Sequence, residues 1–196
     1  SPDYVRNTEF SGEVRLGANG SVWKCDDGTT FTSGIYNARL AGCSVGNNVC
    51  IRNIGGVISR YDIADDAVVE NAASLVCTGG LRFGNGTRVA AVNENGGRAV
   101  TIYSELSAQA AYLMAMYRHR QDAVAALERI TEEYCKPGNT IRGSVGKGAV
   151  IRDCGRIEDV CVGAGAKIAG ALSLTNGTLV STAESPVHIG PGVVME

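Results

Sequence analysis

Aliphatic residues fall six apart at Val45, Ile51, Val57, Ile63, Val69 and Leu75. The spacing returns at Val145, Ile151 and Ile157, slips by one, and resumes at Val162, Ile168, Leu174 and Val180. Steps of six wander around a helix of 3.6 residues per turn and bury no single face. A short strand plus a corner, repeated every six residues, brings each aliphatic side chain back to the interior. Richer units begin at Val45-Gly46, Ile63-Ala64 and Phe83-Gly84, 18 and 20 residues apart, and later at Val145-Gly146 and Val162-Gly163, 17 apart. Three hexads per coil is the demand of a three-sided solenoid. The pattern predicts a mainly β fold, a left-handed parallel β-helix of hexapeptide repeats, with Gly or Asn in the positive-φ corners. The longer step before Phe83 reads as a bulged corner.

The pattern stops in the middle of the chain. From Ser104 to Cys135 there is no Gly and no Pro, and Leu106, Leu113, Met114, Tyr117, Val124, Leu127 and Ile130 stand at steps of three, four and seven. That spacing predicts a helical insertion, two helices hinged near His119 to Asp122, with Ser104 as N-cap and Pro137-Gly138 as terminator. The chain divides accordingly into an irregular capping lead-in (1–39), a first β-helical part (40–92), a polar connecting loop (93–103), the helical insertion (104–136) and a second β-helical part (137–196). The hexads on either side of the insertion predict one continuous solenoid. Tyr4, Phe10, Trp23, Phe31 and Tyr36 of the lead-in are available to cover its open end.

Composition agrees with a repeat built on tight turns: 26 Gly against three Phe and one Trp in 196 residues. A net charge of -2 and a pI near 5.7 offer no basic stripe for nucleic acid. No apolar run approaches the roughly 18 residues of a membrane span, and Ser1-Pro2-Asp3-Tyr4 lacks the features of a signal peptide, so the expectation is a soluble cytoplasmic protein. Seven cysteines without a Cys-x-x-Cys pair argue against a disulfide framework or structural zinc. The missing initiator Met and a repeat-like stretch running to Glu196 suggest a piece of a longer protein.

Hexads of this form resemble the bacterial hexapeptide-repeat transferase superfamily, acyltransferases of sugar nucleotides among them. Tyr4-Val5-Arg6-Asn7, Ser33-Gly34-Ile35-Tyr36-Asn37, Asn93-Glu94-Asn95-Gly96-Gly97-Arg98, Tyr117-Arg118-His119-Arg120 and Leu174-Thr175-Asn176-Gly177 carry a closer resemblance. They are similar to a bacterial family of unassigned function labelled as related to UDP-N-acetylglucosamine pyrophosphorylase, whose members are longer. The resemblance names a relative without naming a reaction. The superfamily resemblance implies sites at grooves between β-helices of a homotrimer and brings acetyl-CoA or acyl-CoA into consideration, although the residues themselves fix no cofactor. Pyrophosphorylase chemistry itself is not expected, because no strand–Gly-x-Gly–helix unit is present.

Candidate chemistry centres on the interruption of the solenoid. The loop Asn93 to Arg98 gathers amides, a carboxylate, paired glycines and a guanidinium, with Arg98 as an anion clamp and Glu94 as acid or base. His119, between Arg118 and Arg120, is the candidate general base, balanced against a plain solvent-facing hinge residue. The catalytic candidates are thus His119 and Glu94, and the ligand-binding candidates Asn93, Arg98, Arg118 and Arg120. No metal is expected, since His119 and His188 cannot supply a three-histidine zinc site. Two functional readings stand: a transferase-like protein acting on or binding a nucleotide-linked or phosphorylated sugar, and a non-catalytic scaffold or regulatory domain.

Overall fold

The computed structural model of the chain describes residues 2–24, 28, 30–79, 82–90, 99–136 and 142–196. The fold is mainly β, with a large parallel sheet and two helices. Its parallel pairings form three series. In the first, Val5, Ile35, Ile51, Val69, Ile151, Ile168 and Ile189 are successive partners. The second runs Phe10, Leu40, Ile58, Leu75, Ile157, Leu174 and Met195. The third runs Leu16, Val45, Ile63, Val145, Val162 and Leu179. The chain visits the three in rotation. Between Ile35 and Leu174 the partners are almost wholly withdrawn from solvent, so each coil buries its aliphatic residues on those of the coils before and after it.

Corners are made by single residues in the left-handed region. Between the first and second series stand Asn7, Asn37, Asn53, Asn71 and Asp153, with φ from 48° to 54°. Asn and Asp tolerate this region better than other residues with a Cβ. Their side chains join across coils: Nδ2 of each Asn donates to Oδ1 of the next, at 2.9 Å (Asn7 to Asn37), 3.0 Å (Asn37 to Asn53), 3.0 Å (Asn53 to Asn71) and 2.9 Å (Asn71 to Asp153). Gly42, Arg60, Asp159 and Asn176 make the equivalent turn between the second and third series.

Corner chemistry also explains where the hexad spacing misplaces a residue. Val57 is half-buried, and Ile58 takes its place in the second series. Gly55 and Gly56 fill the corner before it and donate to Ala72 O and Ala73 O, using one residue more than an ordinary turn. Leu179 is buried where Val180 was expected, and Val180 is 61% exposed, because the single-residue corner at Asn176 shortens the step to five. Phe83-Gly84 lies in a turn rather than a coil. The lead-in is less irregular than its composition suggests. Val5–Ser11 and Arg15–Leu16 are the first strands of the three series, and a hairpin of Val22–Lys24 with Thr30–Thr32 places Phe31 4.6 Å from the Arg52 guanidinium.

The chain forms two compact units, Ser1–Gly79 with Ile141–Glu196, and Gly80–Thr140. In the first, strands from before and after the second unit pair directly: Ile63 with Val145, Val69 with Ile151, Leu75 with Ile157. The second unit thus occupies a single connection, from the second series to the third. It contains the hairpin of Arg88–Ala90 with Ala99–Thr101 and two helices, α1 (Ala108–Met116) and α2 (Gln121–Tyr134), around Val100, Met114 and Ala115. The N-cap of α1 is Ser107, whose hydroxyl accepts from Ala110 N at 3.2 Å. Ser104 instead shares a hydrogen bond with the Tyr134 hydroxyl, and its N–H donates to Asn85 Oδ1. Helix α1 therefore starts later than the Gly-free run does. No helix among the described residues is long and apolar enough to cross a membrane.

Candidate functional site

Of the residues singled out in the sequence, Asn93, Glu94 and Arg98 lie outside the described residues. Arg118, His119 and Arg120 form the turn between α1 and α2. Both guanidiniums have carboxylate partners. Arg118 donates to Ala99 O at 3.1 Å and lies 3.8 Å from Glu128, while Arg120 forms an exposed pair with Asp122 at 3.4 Å. The Arg120 guanidinium, hydrogen-bonded to it, holds the Asp122 carboxyl below the usual carboxylate range. His119 is exposed, its ring 5.5 Å from that of Tyr117. His188 is exposed and pairs with Lys167 in the first series.

A different constellation emerges on the third series. Side chains alternate along a strand, so the residue before each inward aliphatic points outward. Arg15, Ser44, Asp62 and Ser144 are therefore consecutive outward partners beside Leu16, Val45, Ile63 and Val145. Glu13, Arg15, Cys43, Ser44, Asp62 and Arg142 line a cleft of about 340 Å³. Arg142 Nε donates to Asp62 Oδ1 at 2.7 Å, and Arg15 donates through Nε (3.0 Å) and Nη2 (2.6 Å) to Glu13 Oε1. Gly143 sits beside Arg142 because the Tyr61 ring covers its α-carbon and leaves no room for a Cβ. The Tyr61 hydroxyl in turn donates to Val160 O at 3.0 Å and accepts from Val160 N at 3.2 Å, which fixes the ring under Gly143.

Cleft chemistry is that of recognition. Two guanidiniums keep N–H groups beyond those spent on their carboxylates and can clamp an anionic oxygen. Glu13 and Asp62 accept from hydroxyls, and Ser44 can do either. Cys43 is no nucleophile: burial pushes its thiol up, and Sγ donates to Ile58 O at 3.3 Å. A second cleft of about 310 Å³, beside Asn7, Glu9, Asn37 and Arg39, has one guanidinium, paired with Glu9 at 2.9 Å. Glu70 between Arg52 (2.8 Å) and Arg152 (3.4 Å), with Phe31 over Arg52, is a packed ion triad on the first series. The six described cysteines are free thiols. Among the described residues no group of three or more His, Cys, Asp or Glu is placed to hold a metal ion. Spacing alone could not have found the cleft beside Arg15, since Arg15, Ser44 and Asp62 become neighbours only once the strand register is known.

The whole chain, residues 1–196, matches the model of a family described as a domain of unknown function, DUF4954. An uncharacterized protein of Treponema pallidum (strain Nichols) is 29% identical over 200 residues, covering 96% of this chain. The chain spans 28% of that relative's length. No solved structure matches.

Proposed function

For a chain that belongs to the DUF4954 family, we propose a left-handed parallel β-helix of the hexapeptide-repeat kind that binds a phosphorylated sugar in the cleft of its third ladder. The three in-register parallel series support the β-helical reading, and the resemblance to the UDP-N-acetylglucosamine pyrophosphorylase-related family supports a sugar-linked role. The observation that carries the ligand is the set of two guanidiniums and two carboxylates lining one cleft. The arginines suit a phosphate and the carboxylates suit ring hydroxyls. At about 340 Å³ the cleft stands at the small end of the range of roughly 300–1,000 Å³ for ligand sites. A monosaccharide phosphate fits that size better than a nucleotide-linked sugar does.

The test is calorimetric titration with hexosamine and hexose phosphates beside a UDP-sugar. Arg142→Ala is expected to weaken sugar-phosphate binding by about 10- to 150-fold, the equivalent of one charged hydrogen bond, with the folded state retained. No binding of any of these ligands to the unaltered chain sinks the reading. The scaffold reading is then the one that stands. It draws on the direct pairing of coils across the second unit: a solenoid that continues unbroken past an insertion is suited to holding that insertion in place.

A further inference from the structure

The corners between the first and second series are not of one width. Two residues separate Asn7 from Phe10 and Asn37 from Leu40, whereas four separate Asn53 from Ile58. The wide corner, with Gly55 and Gly56 at its turn, leaves a step beside the two narrow ones, and this step is the cleft of about 310 Å³. Ala38 and Ile54, which line it, are almost wholly buried and give it an apolar floor. Its rim is polar and exposed. Asn7 and Asn37 are joined there by a hydrogen bond, and Glu9 and Arg39 are ladder partners.

We propose that this cleft is a second binding site, for a neutral pyranose ring held by a vicinal diol. Charge selects the class. Arg39 Nε meets Glu9 Oε2 at 2.9 Å, so the one guanidinium is balanced by the one carboxylate, and the two converging arginines that suit a phosphate are missing. What remains are groups that pair with hydroxyls. The asparagine row takes one N–H from each amide and, at Asn37, one lone pair of Oδ1; a donor and an acceptor are left on each. Asp153, which can only accept, fixes the direction of the row, so the free N–H and the free lone pair hold their places before a ligand arrives. Two adjacent hydroxyls, one accepting and one donating, match such an amide, and Glu9 Oε1 accepts from a third. The C–H face of the ring then covers Ala38 and Ile54. A volume of about 310 Å³ suits a single ring. The inference is independent of the sugar-phosphate reading, because the two clefts share no residue.

Heteronuclear NMR of the chain titrated with the methyl glycosides of glucose, galactose and mannose is expected to show millimolar binding of at least one, the range for one small ring in an open cleft. The side-chain amide signals of Asn7 and Asn37 shift. Glu9→Gln weakens binding by about tenfold, the equivalent of one charged hydrogen bond. Asn37→Asp keeps the tolerance of φ near +52° but loses its N–H groups, and weakens binding by about three- to tenfold. Melting curves separate lost fold from lost binding, and if Asn37→Asp unfolds the chain, the exposed Glu9→Gln decides. Absence of binding by all three glycosides overturns the proposal. So do shifts that fall on Asp62 and Arg142 instead, unaltered binding by Glu9→Gln, or a hexose phosphate that shifts Asn7 and Asn37 at lower concentration than the neutral ring.

Discussion

Asp153 can only accept hydrogen bonds, and it closes a ladder of four asparagines that each donate toward it. One residue thus sets the orientation of every amide in the row. Asn53→Asp keeps the size and the tolerance of φ near +54°, and still accepts from Asn37. It cannot donate to Asn71 Oδ1, now 3.0 Å from a carboxylate oxygen. Turning the Asn71 amide over only moves the clash, because its oxygen then faces Asp153. The lost bond is worth about 0.5–1.5 kcal/mol. The new charge stands two strand spacings, roughly 10 Å, from Asp153, which adds about 0.4 kcal/mol or more of repulsion. The expected cost is about 1–2 kcal/mol, a fall in Tm of about 2–8 °C for a chain of this size. Adding Asp153→Asn reverses most of it. Asn37 and a turned Asn71 then both donate to Asp at position 53, and Asn at position 153 donates to Asn71. Denaturant unfolding of the four proteins at pH 7 gives the cycle. A coupling of about 1 kcal/mol between residues that do not touch is expected; additivity within about 0.3–0.5 kcal/mol, usual at such distances, refutes the oriented ladder.

Gly143→Ala places a methyl inside the buried Tyr61 ring and is expected to destabilise by about 1–3 kcal/mol, a cost that should largely vanish when the same change is measured in a Tyr61→Ala background; an unchanged melting curve contradicts the packing. Alkaline pH offers a separate measurement. Burial pushes the Cys50 thiol from its ordinary 9.0 up to about 11 and raises Tyr61 in the same way. The folded chain then holds protons that the unfolded chain has released, so stability is complete below pH 9 and drains away as pH rises toward 11. For Cys50 alone the loss is at most about 2–3 kcal/mol; Cys50→Ala should flatten that part of the profile, and a stability constant from pH 8 to 11 in the unaltered chain speaks against it.

The sequence by itself determined the kind of structure. Aliphatics at steps of six cannot line one face of a helix, and Asn or Gly between them marks where the chain must turn, so β-rich repeats and a helical interruption were legible. So was the break between helices near His119, where five polar or charged residues in a row, Arg118 to Asp122, interrupt the apolar positions. Only the tertiary structure decided the step at each corner. Whether Val57 or Ile58 faces inward depends on how Gly55 and Gly56 meet the backbone of Ala72 and Ala73 in the next coil, a contact 17 residues away. The same holds for the cleft. Arg15, Ser44, Asp62 and Arg142 are scattered over 127 residues; ladder pairing of Arg15 with Ser44 and of Ser44 with Asp62 joins the first three, and pairing across the second unit, Gly143 with Tyr61, adds Arg142. Periodicity is a local property of the chain, whereas a cleft on a parallel sheet is assembled from single residues of successive strands, and its register is set by contacts between strands far apart in sequence.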